Sequence, residues 1–342
     1  MSVKKIFHKH FHLIYLTALL SGVAAPQHVW AFSGQEAAMT MPLPVHNLYP
    51  AMTRFYDPIP VSAFRDFDNK PEYALLQHYT SIFLFDDLPV GRLLSDMEIY
   101  TVELQADTAI SESTEIGLTI PVHYATAGFL DPFLRSYHEA LGLPNSGREL
   151  QADNQYSWDY SDASGNTVWS DQAGWEMGNI SLRLRQKLTQ GERWGLSLLA
   201  ALQLPTASKS RGWGSGEPDV AAGAVYSWRK NSLFGHLEGW LIHPFAKDES
   251  GLNIQNYARA STTLGWQLKR PLSLLVQLQG GLSPYDTGIQ QLDKSPSQIS
   301  FGLRWAMSRK AVLTFAFVEN ISQQTTPDFG ITVGLTFQPG RK

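Results

Sequence analysis

The sequence predicts an all-β protein: a transmembrane, antiparallel up-and-down β-barrel of about 12 strands, with a short helix in one long loop. Three observations predict it. Stretches that alternate apolar and polar residues with a period of two recur to the end of the chain, as in strands with one greasy and one polar face. The chain opens on an export-type leader, and no later run is long and apolar enough to cross a membrane as a helix. Charged residues make up only 17% of the chain while aromatics make up 12%. A soluble surface usually carries about a quarter charged residues, which a wall facing lipid does not need. Period-two strands also suit a soluble sandwich or propeller; the leader, the low charge and the absence of cysteine favour the membrane barrel.

Residues 1–31 read as a secretory signal, with Lys4, Lys5 and Lys9 as the basic start and an apolar stretch from Leu13 to Ala25. Val29-Trp30-Ala31 places cleavage after Ala31, since a cut after Ala25 would leave Pro26 first. The leader holds three of the 27 basic residues and none of the 31 acidic ones, so the mature chain carries a net charge of −7. Nucleic acid is a poor partner for such a surface. Residues 32–76 carry Pro42, Pro44, Pro50, Pro58, Pro60 and Pro71 and no clean period, which predicts an irregular segment in the periplasm or folded into the lumen as a plug.

The barrel is expected over 77–337, followed by a tail at 338–342. Gln77 to Phe85 is a first strand of poor alternation. Tyr100, Val102, Leu104 and Ala106 then alternate with Thr101, Glu103, Gln105 and Asp107. Ile116, Leu118, Ile120, Val122 and Tyr124 form the third, where Pro121 predicts a bulge or an early end. Leu182, Leu184 and Leu188 stand against Arg183, Arg185 and Lys187. Basic side chains cost roughly 2–4 kcal/mol each near the bilayer midplane, so these three must face a wet lumen. Further strands fall near 195–205, 219–228, 232–243, 256–268, 272–281, 297–307, 311–319 and 328–337. Short turns such as Arg229-Lys230-Asn231 alternate with longer polar loops, as when turns lie at one rim and loops at the other. Trp228, Trp240, Trp266 and Trp305 fall where an interfacial aromatic girdle would place them.

The long loop, 125–177, starts with an ordered stretch. Phe129, Phe133, Leu134, Tyr137 and Leu141 fall on one helical face, Asp131 with Pro132 fits a cap and first turn, and Gly142 with Pro144 stops the helix. Tyr156 to Gly165 reads as a surface hairpin.

The same residues carry a family resemblance. Gly128-Phe129-Leu130-Asp131, His138 and Gly142-Leu143-Pro144-Asn145-Ser146-Gly147-Arg148 resemble the signature of an uncharacterised bacterial family, domain of unknown function 3187. Asn47-Leu48-Tyr49-Pro50, Gln203-Leu204-Pro205-Thr206, Gly214-Ser215-Gly216 with Asp219, Val318-Glu319-Asn320 and Pro327-Asp328 extend it over nearly all of the mature chain. The resemblance implies an outer-membrane β-barrel of Gram-negative bacteria and brings no activity or ligand with it. Two departures are Ala207-Ser208 after Leu-Pro-Thr, where the family often has Gly-Asp, and the five residues that follow Phe337, where barrels commonly end on an aromatic residue.

The functional expectation is a channel or transporter for a small solute, set in outer-membrane lipid and delivered by the barrel assembly machinery. Glu103, Arg183, Arg185, Lys187, Arg259, Arg304 and Glu319 are the expected lumenal charges, and Phe129, Asp131, His138 and Arg148 belong to the loop as an expected lid. Two alternatives are a barrel-borne lipid hydrolase and a non-conducting structural or adhesion barrel. The hydrolase would need Asp131, Ser136 and His138 to converge, yet on a helix Ser136 and His138 point about 200° apart. No cofactor is expected. The ten histidines are scattered without ligand spacing, Asp153, Asp159 and Asp162 read as solvated loop acids, and Gly212, Gly214 and Gly216 do not precede a helix as a phosphate cradle would.

Overall fold

The computed structural model describes residues 38–64, 71–142, 148, 151–246, 252–269, 271–321 and 325–339. The leader with its cleavage point, the tail after Pro339 and the stretch 143–147 of the loop signature lie outside them.

Twelve long strands close on themselves: β1 (Glu72–Leu88), β2 (Gly91–Ala109), β3 (Thr114–Thr126), β7 (Ser181–Gln190), β8 (Trp194–Gln203), β9 (Asp219–Lys230), β10 (Leu233–Pro244), β11 (Tyr257–Lys269), β12 (Leu272–Gly281), β13 (Ser297–Ala306), β14 (Ala311–Asn320) and β15 (Phe329–Phe337). Each pairs antiparallel with the next, and β15 returns to β1 through Tyr73↔Phe337 to Ser81↔Phe329. Three short strands, β4 (Ser157–Asp162), β5 (Thr167–Ser170) and β6 (Gly174–Met177), and three helices, α1 (Pro50–Thr53), α2 (Asp131–Leu141) and α3 (Gln290–Asp293), complete the described elements. The first wall strand begins at Glu72, so the irregular segment ends five residues earlier than the sequence pattern marks.

Period two decides which side chains meet which solvent. Leu184, Leu198, Leu241, Leu264, Val276, Phe315 and Val333 project outward and are exposed, while His78, Thr101, Ser197, His236, Glu238, Gln277 and Thr314 project inward and are buried. An outer wall of exposed leucine and phenylalanine is the surface of a lipid-facing barrel. Trp194, Trp228, Trp266 and Trp305 lie outward along the rim of short turns, with Trp194 directly opposite Trp228. Trp240 departs from that girdle: it points inward, is buried, and donates to Glu238 at 2.5 Å.

Pro121 does not break β3. The strand pairs with β7 up to Thr119 and with β6 from Val122, so the proline sits where partners change and no ladder N–H is missed. The turn at Asn231 is tight, with the asparagine in the left-handed region at φ 56°.

Residues 38–64 run inside this wall. They start at the short-turn rim, where the Ala38 carbonyl accepts from Arg304 and the Thr40 carbonyl lies 2.6 Å from His236 Nε2. They turn at α1, near the long-loop rim, and descend again past Glu238 to Ser227. Five prolines suit this path, because each removes an N–H that a barrel interior would otherwise have to satisfy. Tyr49, Met52, Phe55, Tyr56 and Val61 pack with inward Ile82, Met97, Leu199, Val225 and Ile242 into the main apolar core.

Candidate functional site

The site is the lumen and what fills it. The inner segment is held by polar side chains from the wall that stand in for a neighbouring strand. Gln277 brackets Leu43: the Leu43 N–H donates to Oε1 at 3.0 Å and Nε2 donates to the Leu43 carbonyl at 3.1 Å. Gln279 reaches the Val45 carbonyl at 2.8 Å. The Tyr56, Val61 and Ala63 N–H groups donate to Asp219, Glu238 and Ser227 at 2.6, 2.8 and 2.8 Å. Gly302 leaves room for this contact, since a Cβ there would come within 2.7 Å of the Leu43 side chain.

The expected lumenal charges are engaged with the same segment or with wall partners. Glu103 lies 2.7 Å from His46 and 3.5 Å from His78. Arg185 pairs with Glu115 at 2.9 Å and donates to the Ser62 carbonyl. Arg259 holds Asp57 at 2.6 Å. Arg304 donates to the Ala38 carbonyl at 3.0 Å. Arg183 meets Asp107 at 2.6 Å on the wall itself, and Lys187 is half-buried on the same inner face. Glu319 is different. It shares the outward parity of Leu313, Phe315 and Phe317 and accepts from Tyr137 of α2 at 3.3 Å, outside the barrel.

Two small hydrated spaces flank the segment. One lies among His46, Asp57, Glu103, His123 and Arg183, and about 50 Å³ of it can be occupied by water centres. The other lies beside Asp57, Glu238, Arg259 and Gln298, with about 20 Å³. A water needs roughly 10–15 Å³ on that measure, so the two spaces hold a few waters and no larger solute.

The long-loop rim is closed by the β4–β5 hairpin. Trp158 and Tyr160 lie opposite inward Ser95 and Leu93 of β2, and Trp169 packs on both rings. Arg54 of the inner segment lies over the Trp169 ring at 4.2 Å and donates to the Gly214 carbonyl at 3.2 Å. Cap and inner segment are thus in direct contact.

The expected lid helix is elsewhere. α2 lies on the outer face of the wall, where Phe133 meets Phe329, Tyr137 meets Phe317 and Phe129 meets Tyr79, all outward-facing rings. Burial and the Glu319 carboxylate push the Tyr137 phenol up, so its hydroxyl stays a donor. Phe129, Asp131, His138 and Arg148 therefore form a clasp beside the barrel and not a lid over it. The reason is the loop's exit: Thr126 ends β3, and the chain turns outward over the Glu98 carboxylate, which accepts from the Phe129 and Leu130 N–H groups at 2.9 and 2.6 Å. Gly128 sits at φ 74° with its Cβ position 2.0 Å from Glu98, so only glycine fits. Asp131 is the first helical residue and not a cap; its carboxylate takes Arg148 and the Asn154 N–H. Arg148 also reaches Asp328 at 2.9 Å, and Asn320 donates to Asp328 at 2.9 Å. His138 is buried on the wall side of the helix.

Breaking a buried pair typically costs about 3–5 kcal/mol. Arg148→Ala should therefore release the 127–155 segment while the barrel persists. Limited proteolysis should cut the variant within that segment and leave the intact protein uncut there; equal resistance would mean the clasp is not what holds it.

The residues that carry the hydrolase alternative are not brought together. Ser136 is exposed and donates to the Pro132 carbonyl, whereas Asp131 is engaged by Arg148. Among the described residues no group of three His, Asp or Glu is placed to hold a metal ion. Asp153 pairs with Arg135, and Asp162 caps the hairpin turn through the Ser164 and Asn166 N–H groups. Asp219, Glu238 and Gln277 were not singled out by sequence, although Glu238 and Gln277 occupy polar parity positions on their strands.

Fold and site together define a closed twelve-stranded barrel of the outer-membrane type whose lumen is filled by its own N-terminal segment. The model of a family described as a protein of unknown function, DUF3187, matches residues 18–338, and the chain belongs to that family. No curated protein sequence matches the chain. Among solved structures, the COG4313 outer membrane channel from Pseudomonas putida F1 is similar at 10% identity, covering 80% of this chain and 99% of that one, with a TM-score of 0.51. The NanC porin aligns at 7% identity over 78% and 99% of the two chains, with a TM-score of 0.45. The P. putida toluene transporter TodX aligns at 10% identity over 85% and 93%, with a TM-score of 0.37. At these identities the likeness is one of fold.

Proposed function

We propose that the protein is an outer-membrane channel for a small solute, held closed by the segment 38–64 and capped by the β4–β5 hairpin. One observation carries the reading: the lumen is blocked by a removable piece of chain and not by wall side chains meeting across it. A structural barrel needs no polar inner face kept apart from its filling. Here the inner face carries Glu103, Arg185, Arg259 and Arg304, and each contacts the segment. Displacing the segment would leave these groups lining a polar passage.

The segment's path supports the reading too. It enters and leaves by the short-turn rim, so it can be withdrawn without threading through the wall. Fully engaged lumenal charges are what the non-conducting alternative also expects, and a permeation assay separates the two.

Weakening the anchors should open the passage in part. Gln277→Ala combined with Asp57→Ala removes the bracket on Leu43 and the Arg259 pair. Liposomes carrying this variant should swell in small neutral sugars several-fold faster than those carrying the intact protein. Equal rates, with the variant folded, would overturn the reading.

A further inference from the structure

We infer that α2 is an interfacial helix whose aromatic flank is embedded in the acyl chains of the outer leaflet. The inference rests on the membrane-barrel reading and concerns a surface which that reading does not use.

The helix divides into three sides. Asp131, Leu134 and His138 are buried against the wall. Phe133, Tyr137 and Leu141, spaced by four, form one flank that Phe129 extends. Phe129, Phe133 and Leu141 are left 68%, 53% and 60% exposed. Arg135 and Glu139 lie about 160° around the helix from Tyr137, on the opposite flank. Arg135 there pairs with Asp153 at 2.7 Å. One side is thus set on protein, one is apolar and uncovered, and one is charged.

What covers the apolar flank follows from what it adjoins. The rings it touches, Tyr79, Phe317 and Phe329, occupy outward positions of β1, β14 and β15. Further from the rim the same parity continues through Phe315, Val333 and Leu335, all exposed on the outer wall. The flank is therefore the upper edge of the lipid-facing belt, and the occupant that fits is the lipid already on that belt. An amphipathic helix lying in the interface buries its apolar side toward the acyl boundary and keeps charge toward water. The Glu98 contact and the Asp131–Arg148–Asp328 clasp fix it at that level.

The chain has no cysteine, so single-cysteine variants report one site each. Phe133→Cys, Leu141→Cys, Glu139→Cys and Leu264→Cys would carry an environment-sensitive fluorophore in bilayers containing doxyl-labelled lipid, with iodide as the aqueous quencher. Leu264 lies on the outer wall and is the reference for lipid contact. Phe133 and Leu141 should be quenched by doxyl lipid as Leu264 is, and several-fold less by iodide than Glu139. Iodide access at both helix positions equal to that at Glu139, with Leu264 still quenched by lipid, would overturn the inference and leave the barrel reading standing. Iodide access at Leu264 as well would overturn the membrane reading itself.

Discussion

Leu184→Arg should abolish assembly of the barrel, while the neighbouring Arg183→Leu should leave it largely intact. Leu184 projects from β7 into the lipid belt, opposite Ile116 and Ala200, and is exposed on the outer wall. A guanidinium there meets hydrocarbon at a cost of roughly 2–4 kcal/mol near the midplane. Arg183 lies one residue away on the other face, paired with Asp107 near the short-turn rim. Removing it frees a carboxylate that water at the rim can reach, since Asp107 is not fully enclosed. Heat-modifiable migration on gels measures the folded fraction of each. Similar folded fractions for the two variants would mean that the faces of β7 are assigned the wrong way round.

All twelve wall strands were legible in the sequence to within a few residues, because lipid outside and polar groups inside impose period two on each one. Closure itself was legible only as an even strand count. Pro121 misled because its neighbours on one strand do not reveal a change of pairing partner. The inner segment was legible as irregular and proline-rich, yet its contacts join residues more than two hundred positions apart, such as Leu43 and Gln277.

The outer clasp was misplaced for a readable reason. Glu319 shares the parity of Phe315 and Phe317, and Glu98 shares that of Tyr100 and Val102, so both acids stand on the lipid-facing side of their strands. An acid in that position must be covered, and the loop carrying α2 is what covers it. The motif residues then fall into two groups. Glu319, Asn320, Asp328, Gly128, Asp131 and Arg148 meet on the outer face. Asn47, Gln203, Gly214 and Asp219 meet around the turn of the inner segment. Spacing in the sequence shows neither meeting point, since each joins loops from different strands.

The second large effect concerns the segment within the lumen. Deleting residues 38–64 from the mature chain removes no wall strand, so the twelve-stranded sheet should still close. It also strips the partners from Glu238, Gln277 and Arg259, and water replaces them, as it does on the inner face of open barrels. The apolar residues of the upper lumen lose their covering, which lowers the unfolding temperature without changing the strand count. Single-channel recording in planar bilayers tests the plug most directly. The account predicts a full-length protein near the empty-bilayer baseline and a deletion variant that gives discrete, long-lived open steps. A deletion variant that runs as a heat-modifiable barrel yet conducts no more than the full-length protein would contradict it.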